Sequence, residues 1–301
     1  MLSLVVVMIF WGSAFASSKV AVGTVGHEVA APLRFGIGAL VLLVVLPFVR
    51  GPGPGRNPRD WLALTGLGLV GVFGYNLLFF LGLSLAPAAD GSMIIPVLSP
   101  VITTVLSALL GHQRITPVQV AGLSTAVVGA AVFMTGAPIG PAGATRLAGD
   151  AAFVGAAACW STYTVLGRPM LHRLSPQRVT TYTTAIGSLG LALVAVPSAG
   201  QISWSTLDTE FWLNVAYLAV FPTALAYVLY YRGVHQFGSA TAATMMFLVP
   251  VAGVACAIGL LGESINAAQI VGSVLMLGGA LVATRASSAS RTARPDAAAR
   301  M

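Results

Sequence analysis

Charge is what this chain lacks most: only 8% of its residues are Asp, Glu, Lys or Arg, against about 25% in an ordinary soluble domain. With 57% hydrophobic residues and a mean hydropathy of +0.90, the solvent this composition suits is a lipid bilayer, which excludes a water-soluble globule. Basic residues are missing before Lys19. A secretory signal opens on a basic stretch ahead of a short apolar core, so residues 2–22 read as a retained span despite the small-x-small look of Ala14-Phe15-Ala16. Cysteine is nearly absent, and Cys159 and Cys256 are single thiols inside apolar runs, without the paired spacing of a zinc site. His27, His112, His172 and His235 fall in loops or near the ends of runs, and no phosphate-cradling glycine loop occurs. No catalytic residue, metal site or cofactor is expected, and the chain reads as a non-enzyme.

What is present is a succession of long apolar runs. A spanning helix needs roughly 20 mostly apolar residues, and ten runs meet that: 2–22, 31–49, 61–84, 88–110, 117–136, 148–167, 178–197, 211–232, 239–261 and 267–285. They lack the strict alternation of a membrane barrel and are about twice a barrel strand's length. The backbone must therefore satisfy itself inside helices, giving an all-α integral membrane protein of ten transmembrane helices.

Basic residues set its orientation. With the N-terminus in the cytoplasm, the inner loops and tail hold Arg50, Arg56, Arg59, Arg114, Arg168, Arg173, Arg178, Arg232, Arg285, Arg291, Arg294 and Arg300, and the outer side only Lys19, Arg34 and Arg146. The positive-inside rule then puts both termini in the cytoplasm, as an even number of spans requires. The setting expected is the inner (plasma) membrane of a bacterial-type cell. The net charge of +7 needs no nucleic-acid partner, because it is mostly this orientation signal.

Anchors recur at nearly constant offset. Trp11 and Trp160 lie 149 apart, while Pro100 and Pro250, Gln119 and Gln269, and Gly122 and Gly272 each lie 150 apart. Five spans per copy is an odd number, so a second copy enters the membrane from the opposite side. Residues 1–137 and 146–285 are thus expected to form two inverted five-helix repeats, with 286–301 a disordered cytoplasmic tail. Inverted repeats are a frequent plan of secondary transporters, whose substrate site lies near the midplane between the halves.

The sequence resembles the drug/metabolite transporter superfamily, specifically its EamA-type ten-helix members. Trp11-Gly12-Ser13, Pro32-Leu33-Arg34 and the stretch from Leu77 to Pro100 carry the likeness in the first half. Leu248-Val249-Pro250, Gly262-Glu263, Gln269 and Gly272 carry it in the second. The Gly-Glu pair is often mirrored in the family's first half, where this chain has Gly111-His112. The resemblance implies transport of small organic solutes, often export of amino acids or other metabolites, without ATP.

Within the spans, Trp11 and Trp160 fall about halfway along their helices, away from the headgroup level that tryptophan prefers. Each is either a packing indole bonded to a neighbouring carbonyl or a cavity wall. Trp160 shares a helix face with Tyr163 at three residues' spacing, Tyr75 and Phe79 share another at four, and Tyr227 and Tyr231 repeat the theme near the end. Asn76 is an amide deep in a span, where it bonds a neighbouring helix or meets substrate. These eight residues are the candidate substrate site, and Pro100 and Pro250 the candidate hinges. Lys19 and Arg34, placed near the outer ends of their helices, are expected to snorkel or to pair with Glu28 or Asp90. An alternative role is attraction of a substrate carboxylate. No carboxylate falls at a midplane, which favours a facilitator or exchanger over a proton pump.

The partners expected are a small-molecule substrate and the lipid bilayer, with the chain a monomer. Two other classes compete: a membrane-embedded enzyme acting on a lipidic substrate, for which no convergent catalytic cluster is visible, and a channel or non-transporting receptor, which saturable counterflow would exclude.

Overall fold

A computed structural model describes residues 1–111, 115–137, 140–171, 173–237 and 245–292. Its elements are all helical: α1 (Leu2–Val25), α2 (His27–Val45), α3 (Pro58–Gly68), α4 (Tyr75–Leu85), α5 (Ala88–Leu109), α6 (Pro117–Met134), α7 (Pro141–Leu171), α8 (Pro176–Ala199), α9 (Thr209–Leu218), α10 (Ala226–Phe237), α11 (Leu248–Leu261) and α12 (Ala267–Thr292). A π-helical segment, Leu69–Gly74, joins α3 to α4, and another, Ala219–Leu225, joins α9 to α10. Ten continuous rods result among the described residues. Six are long and apolar enough to cross a membrane: Leu2–Val25, His27–Phe48, Pro58–Leu85, Ala88–Leu109, Pro117–Met134 and Pro176–Ala199. Leu248–Leu261 and Ala267–Ala283 are apolar but shorter.

Local chemistry explains where the rods begin and end. Pro58, Pro117 and Pro176 occupy first turns, where the missing N–H costs nothing. Thr116 and Gln119 close a capping box at α6, each side chain bonding the other's backbone N–H at 3.3 and 2.8 Å. Asn266 and Gln269 repeat it at α12, 150 residues on, at 3.1 and 3.0 Å. Gly262 ends α11 in the left-handed conformation at φ 65°, and Gly111 follows α5 at φ 72°, a geometry that favours glycine.

Small residues let the rods interlock. α6 and α12 meet along Gly122, Gly129, Gly272 and Gly279, where an added Cβ would lie 2.5 to 2.7 Å from the facing backbone. Gly66 and Gly278, by contrast, face open space. Gly12 of α1 abuts α11, its missing Cβ falling 2.9 Å from the Val249 carbonyl. At the corresponding crossing, Ser161 of α7 donates to the Ser99 carbonyl of α5 at 2.9 Å.

One proline expectation changes. Pro250 lies in the first turn of α11, so it opens a helix where an interruption was expected. Pro222 falls inside the second π segment. Pro100 lies inside α5, one turn after Pro96.

Candidate functional site

Most side chains in such a bundle pack; those around one central cavity do not fill it. The cavity holds about 1000 Å³ of atom-free space, mouth included, and takes its walls from α1, α2, α4, α5, α7, α8, α11 and both π segments. Six of the eight candidate substrate residues line it: Trp11, Tyr75, Asn76, Phe79, Trp160 and Tyr163. Tyr227 and Tyr231 lie on α10, but their side chains fall outside the described residues. Neither Pro100 nor Pro250 reaches the wall; Pro96 and Pro222 do.

The aromatic wall is continuous. Tyr75 stacks on Phe79 with centroids 5.8 Å apart at 16°, tilts against Trp160 at 5.7 Å, and Trp160 in turn meets Tyr163 at 5.7 Å. Phe15 closes edge-on against Phe79 at 5.3 Å. Offset and edge arrangements of this kind are the favoured ones for aromatic pairs. Gly71 makes room for Tyr163, whose Cδ2 would lie 2.2 Å from an added Cβ.

The π segments bring backbone carbonyls to the same place. A π turn breaks the i−4 ladder, and here side chains take up the carbonyls: the Trp11 indole donates to the Pro222 carbonyl at 3.1 Å, and the Asn76 amide to the Val72 carbonyl at 2.7 Å. Both readings of Trp11 hold together, since it bonds a carbonyl and forms wall. Asn76 departs from the interhelical bond that is the commoner role of such an amide. Its Nδ2 bonds its own rod, while its Oδ1, buried at the cavity wall, has no hydrogen-bond partner.

Arg34 corrects the expectation that it sits out near a helix end. It is 8% exposed, lines the cavity, donates to Ser18 Oγ at 3.0 Å and Thr223 Oγ1 at 3.4 Å, and lies 4.8 Å above the Phe35 ring. A guanidinium over aromatic faces is stabilised by their quadrupoles. Lys19 is corrected too: it donates to the Leu83 and Ala86 carbonyls at the end of α4. Asp90 takes Arg146 as its partner, in a two-pronged bond at 2.7 and 2.8 Å, and Glu28 accepts from Ser198 at 2.9 Å.

Sequence reading missed the threonine wall. Thr180, Thr183 and Thr184 of α8 line the cavity, and their i, i+3, i+4 spacing in an otherwise apolar run was the available signal. Ser99, Met246 and Thr223 complete the lining without a comparable pattern. Among the described residues no three His, Cys, Asp or Glu side chains gather as a metal site.

A helical membrane bundle around an amphipathic pocket defines the class as a multi-pass membrane transporter, and comparison with known proteins gives its family. The EamA-like transporter family matches residues 1–135 and again 147–285, and the chain belongs to that family. It is 30% identical over 277 residues to the uncharacterized transporter YyaM of Bacillus subtilis (strain 168), covering 92% of this chain and 90% of that protein. It is 28% identical to the probable terminal-alkyne amino-acid exporter of Streptantibioticus cattleyicolor, over 94% of this chain and 92% of the other. Identity to the aromatic amino acid exporter YddG of Ancylobacter novellus is 26%, over 92% and 94%. A solved crystal structure shares the fold over 97% of this chain and 98% of its own, with a TM-score of 0.63 at 24% identity.

Proposed function

We propose that this chain is a secondary transporter that carries small amphipathic organic metabolites, aromatic amino acids foremost, by alternating access around its central cavity and without ATP. The observation that carries the reading is the make-up of that cavity. An aromatic wall from Tyr75 to Tyr163 suits a flat apolar portion, the Arg34 guanidinium suits a carboxylate, and the Asn76 Oδ1 suits an amino group. Ligand sites are typically apolar with a few placed polar groups. Relatives named as amino-acid exporters support the same cargo class.

The architecture we propose has ten spans, with residues 1–137 and 146–285 as inverted copies, both termini in the cytoplasm and the chain a monomer in the inner membrane. Paired π segments, paired capping boxes and the twofold family match support the duplication. The excess of arginine in one set of loops supports the orientation.

Counterflow in liposomes tests the function. Purified protein facing labelled L-phenylalanine outside and unlabelled L-phenylalanine inside is expected to accumulate label transiently, with phenethylamine and 3-phenylpropionate competing poorly because each lacks one charged end. Absence of counterflow across amino acids, nucleobases and organic cations would overturn the reading.

A further inference from the structure

At the end of the bundle where α5, α7 and α12 begin, charged groups are gathered that the cavity does not use. Asp90, in the first turn of α5, has no solvent exposure, and Asp150 of α7 has 1%. Arg146, one turn before Asp150, gives both its bonds to Asp90, and Gln269 of α12 adds a third to Asp90 Oδ1 at 3.0 Å. Asp150 shares the Arg146 face of α7, and its neighbours Gly149 and Phe153 pack against Ala86 and Gly91, which bracket Asp90, while its own Oδ1 is buried with no partner. The other charges facing this group are Glu263, from the α11–α12 connection, and Lys19 of α1. Those two are already engaged, Glu263 with the backbone N–H groups of Ala88 and Ala89 at 2.7 and 2.9 Å, and Lys19 with carbonyls of Leu83 and Ala86.

Two carboxylates and one guanidinium therefore share a water-poor site, and the guanidinium is committed to one of them. A second ionised carboxylate here would be buried without compensation, which is costly. Two neighbouring carboxyl groups in a water-poor site disfavour double ionisation. We propose that the Asp90–Asp150 pair is a proton-binding site, loaded while this end of the bundle is closed and emptied when the end opens to water. The chemistry is a simple proton exchange: on opening, the Asp150 carboxyl gives its proton to water and becomes a hydrated carboxylate, and on closing it takes one back. The closed state binds a proton that the open state lacks, so acid favours closure and rising pH favours opening. Proton binding stands on the local geometry alone; the link to opening rests on the alternating-access reading.

Infrared spectroscopy of the full chain in lipid nanodiscs tests the site without any substrate. At about pH 6 the native protein is expected to show the carbonyl stretch of a protonated, buried carboxylic acid, lost on raising the pH to about 9. The band should be missing in Asp150→Asn and kept in Glu263→Gln; Asp150→Ser serves where the asparagine variant does not fold. No such band in the native protein, or its persistence in the Asp150 variants, overturns the proton site. The opening is read separately, from Ser99→Cys in a Cys159→Ser, Cys256→Ser background labelled from outside intact cells with a membrane-impermeant thiol reagent, which in the proposed orientation reaches the cavity only through this end. Labelling relative to the same protein carrying Asp150→Asn is expected to rise about tenfold over that pH interval. A constant ratio alongside the band overturns only the coupling to opening.

Discussion

Trp160 shows how much one side chain is asked to do in this cavity. Its indole touches both Tyr75 and Tyr163, so it links the walls contributed by α4 and α7. Trp160→Ala is expected to lower flux at sub-saturating substrate about tenfold, roughly 1.4 kcal/mol of lost binding, while the protein still inserts and elutes as the native species. Unchanged flux in proteoliposomes would make this tryptophan packing alone. Asn76 supplies a different test, because its Oδ1 is the buried acceptor left over once Nδ2 has bonded Val72. A hydrogen bond from a charged amino group is worth about 1.5–3 kcal/mol. Asn76→Leu should therefore raise KM for an amino acid about tenfold to a hundredfold and leave the KM of the matching acid without an amino group nearly unchanged. Equal losses for both ligands would place the amide outside the recognition of the amino group.

Elements were more legible than their joints. Length and hydropathy alone separated the rods, because the bilayer dictates a minimum run of apolar residues, and α5 from 88 and α6 from 117 begin where the apolar runs do. The π segments were not legible, since an extra residue in a turn leaves composition and hydropathy unchanged; only Gly71 and Pro222 mark them afterwards. Lys19 was misjudged for a related reason. Its partners are backbone carbonyls at the end of α4, and sequence shows which carboxylates exist but not which helix ends lie exposed. The aromatic members of the cavity were found because they recur at three- and four-residue spacing, whereas Ser99 and Met246 belong to no pattern. Glycines of one kind in sequence divide into two kinds in space. Gly129→Val would push a side chain into the Met276 N–H and Gly272 carbonyl, 2.5 and 2.8 Å from the added Cβ, and overpacking of this kind costs about 1–3 kcal/mol. Its thermal midpoint in detergent should fall by several degrees, while Gly66→Ala and Gly278→Ala, which meet nothing within 4 Å, should melt like the parent. A drop as large in Gly278→Ala would contradict the packing of α6 on α12, and one in Gly66→Ala the open face of α3.

At the scale of the whole molecule, both ends of the bundle are tied across the proposed halves. At one end Asp90 holds Arg146 and Gln269, and Glu263 caps the start of α5. At the other, Asp60 pairs with Arg173 at 3.1 Å, Arg178 donates to the Val49 carbonyl at 3.0 Å, and the Ser175 N–H donates to the Pro52 carbonyl at 3.0 Å. Alternating access needs one set broken while the other holds. The sets are not alike, because the second includes an arginine that is 59% exposed while Asp90 is sealed from water. Exposed ion pairs contribute little, so the Asp60–Arg173 end is the easier of the two to part. This geometry has meaning only if the two sets face opposite compartments, and five rods separate Arg56 from Ser205. Single cysteines at those two exposed loop positions, in the background lacking Cys159 and Cys256, decide it. An impermeant reagent added to intact cells is expected to label Ser205→Cys and to reach Arg56→Cys only after the membrane is permeabilised. Labelling of both from the same face would leave an even number of crossings between them, and two oppositely threaded halves closing on one cavity would then be impossible.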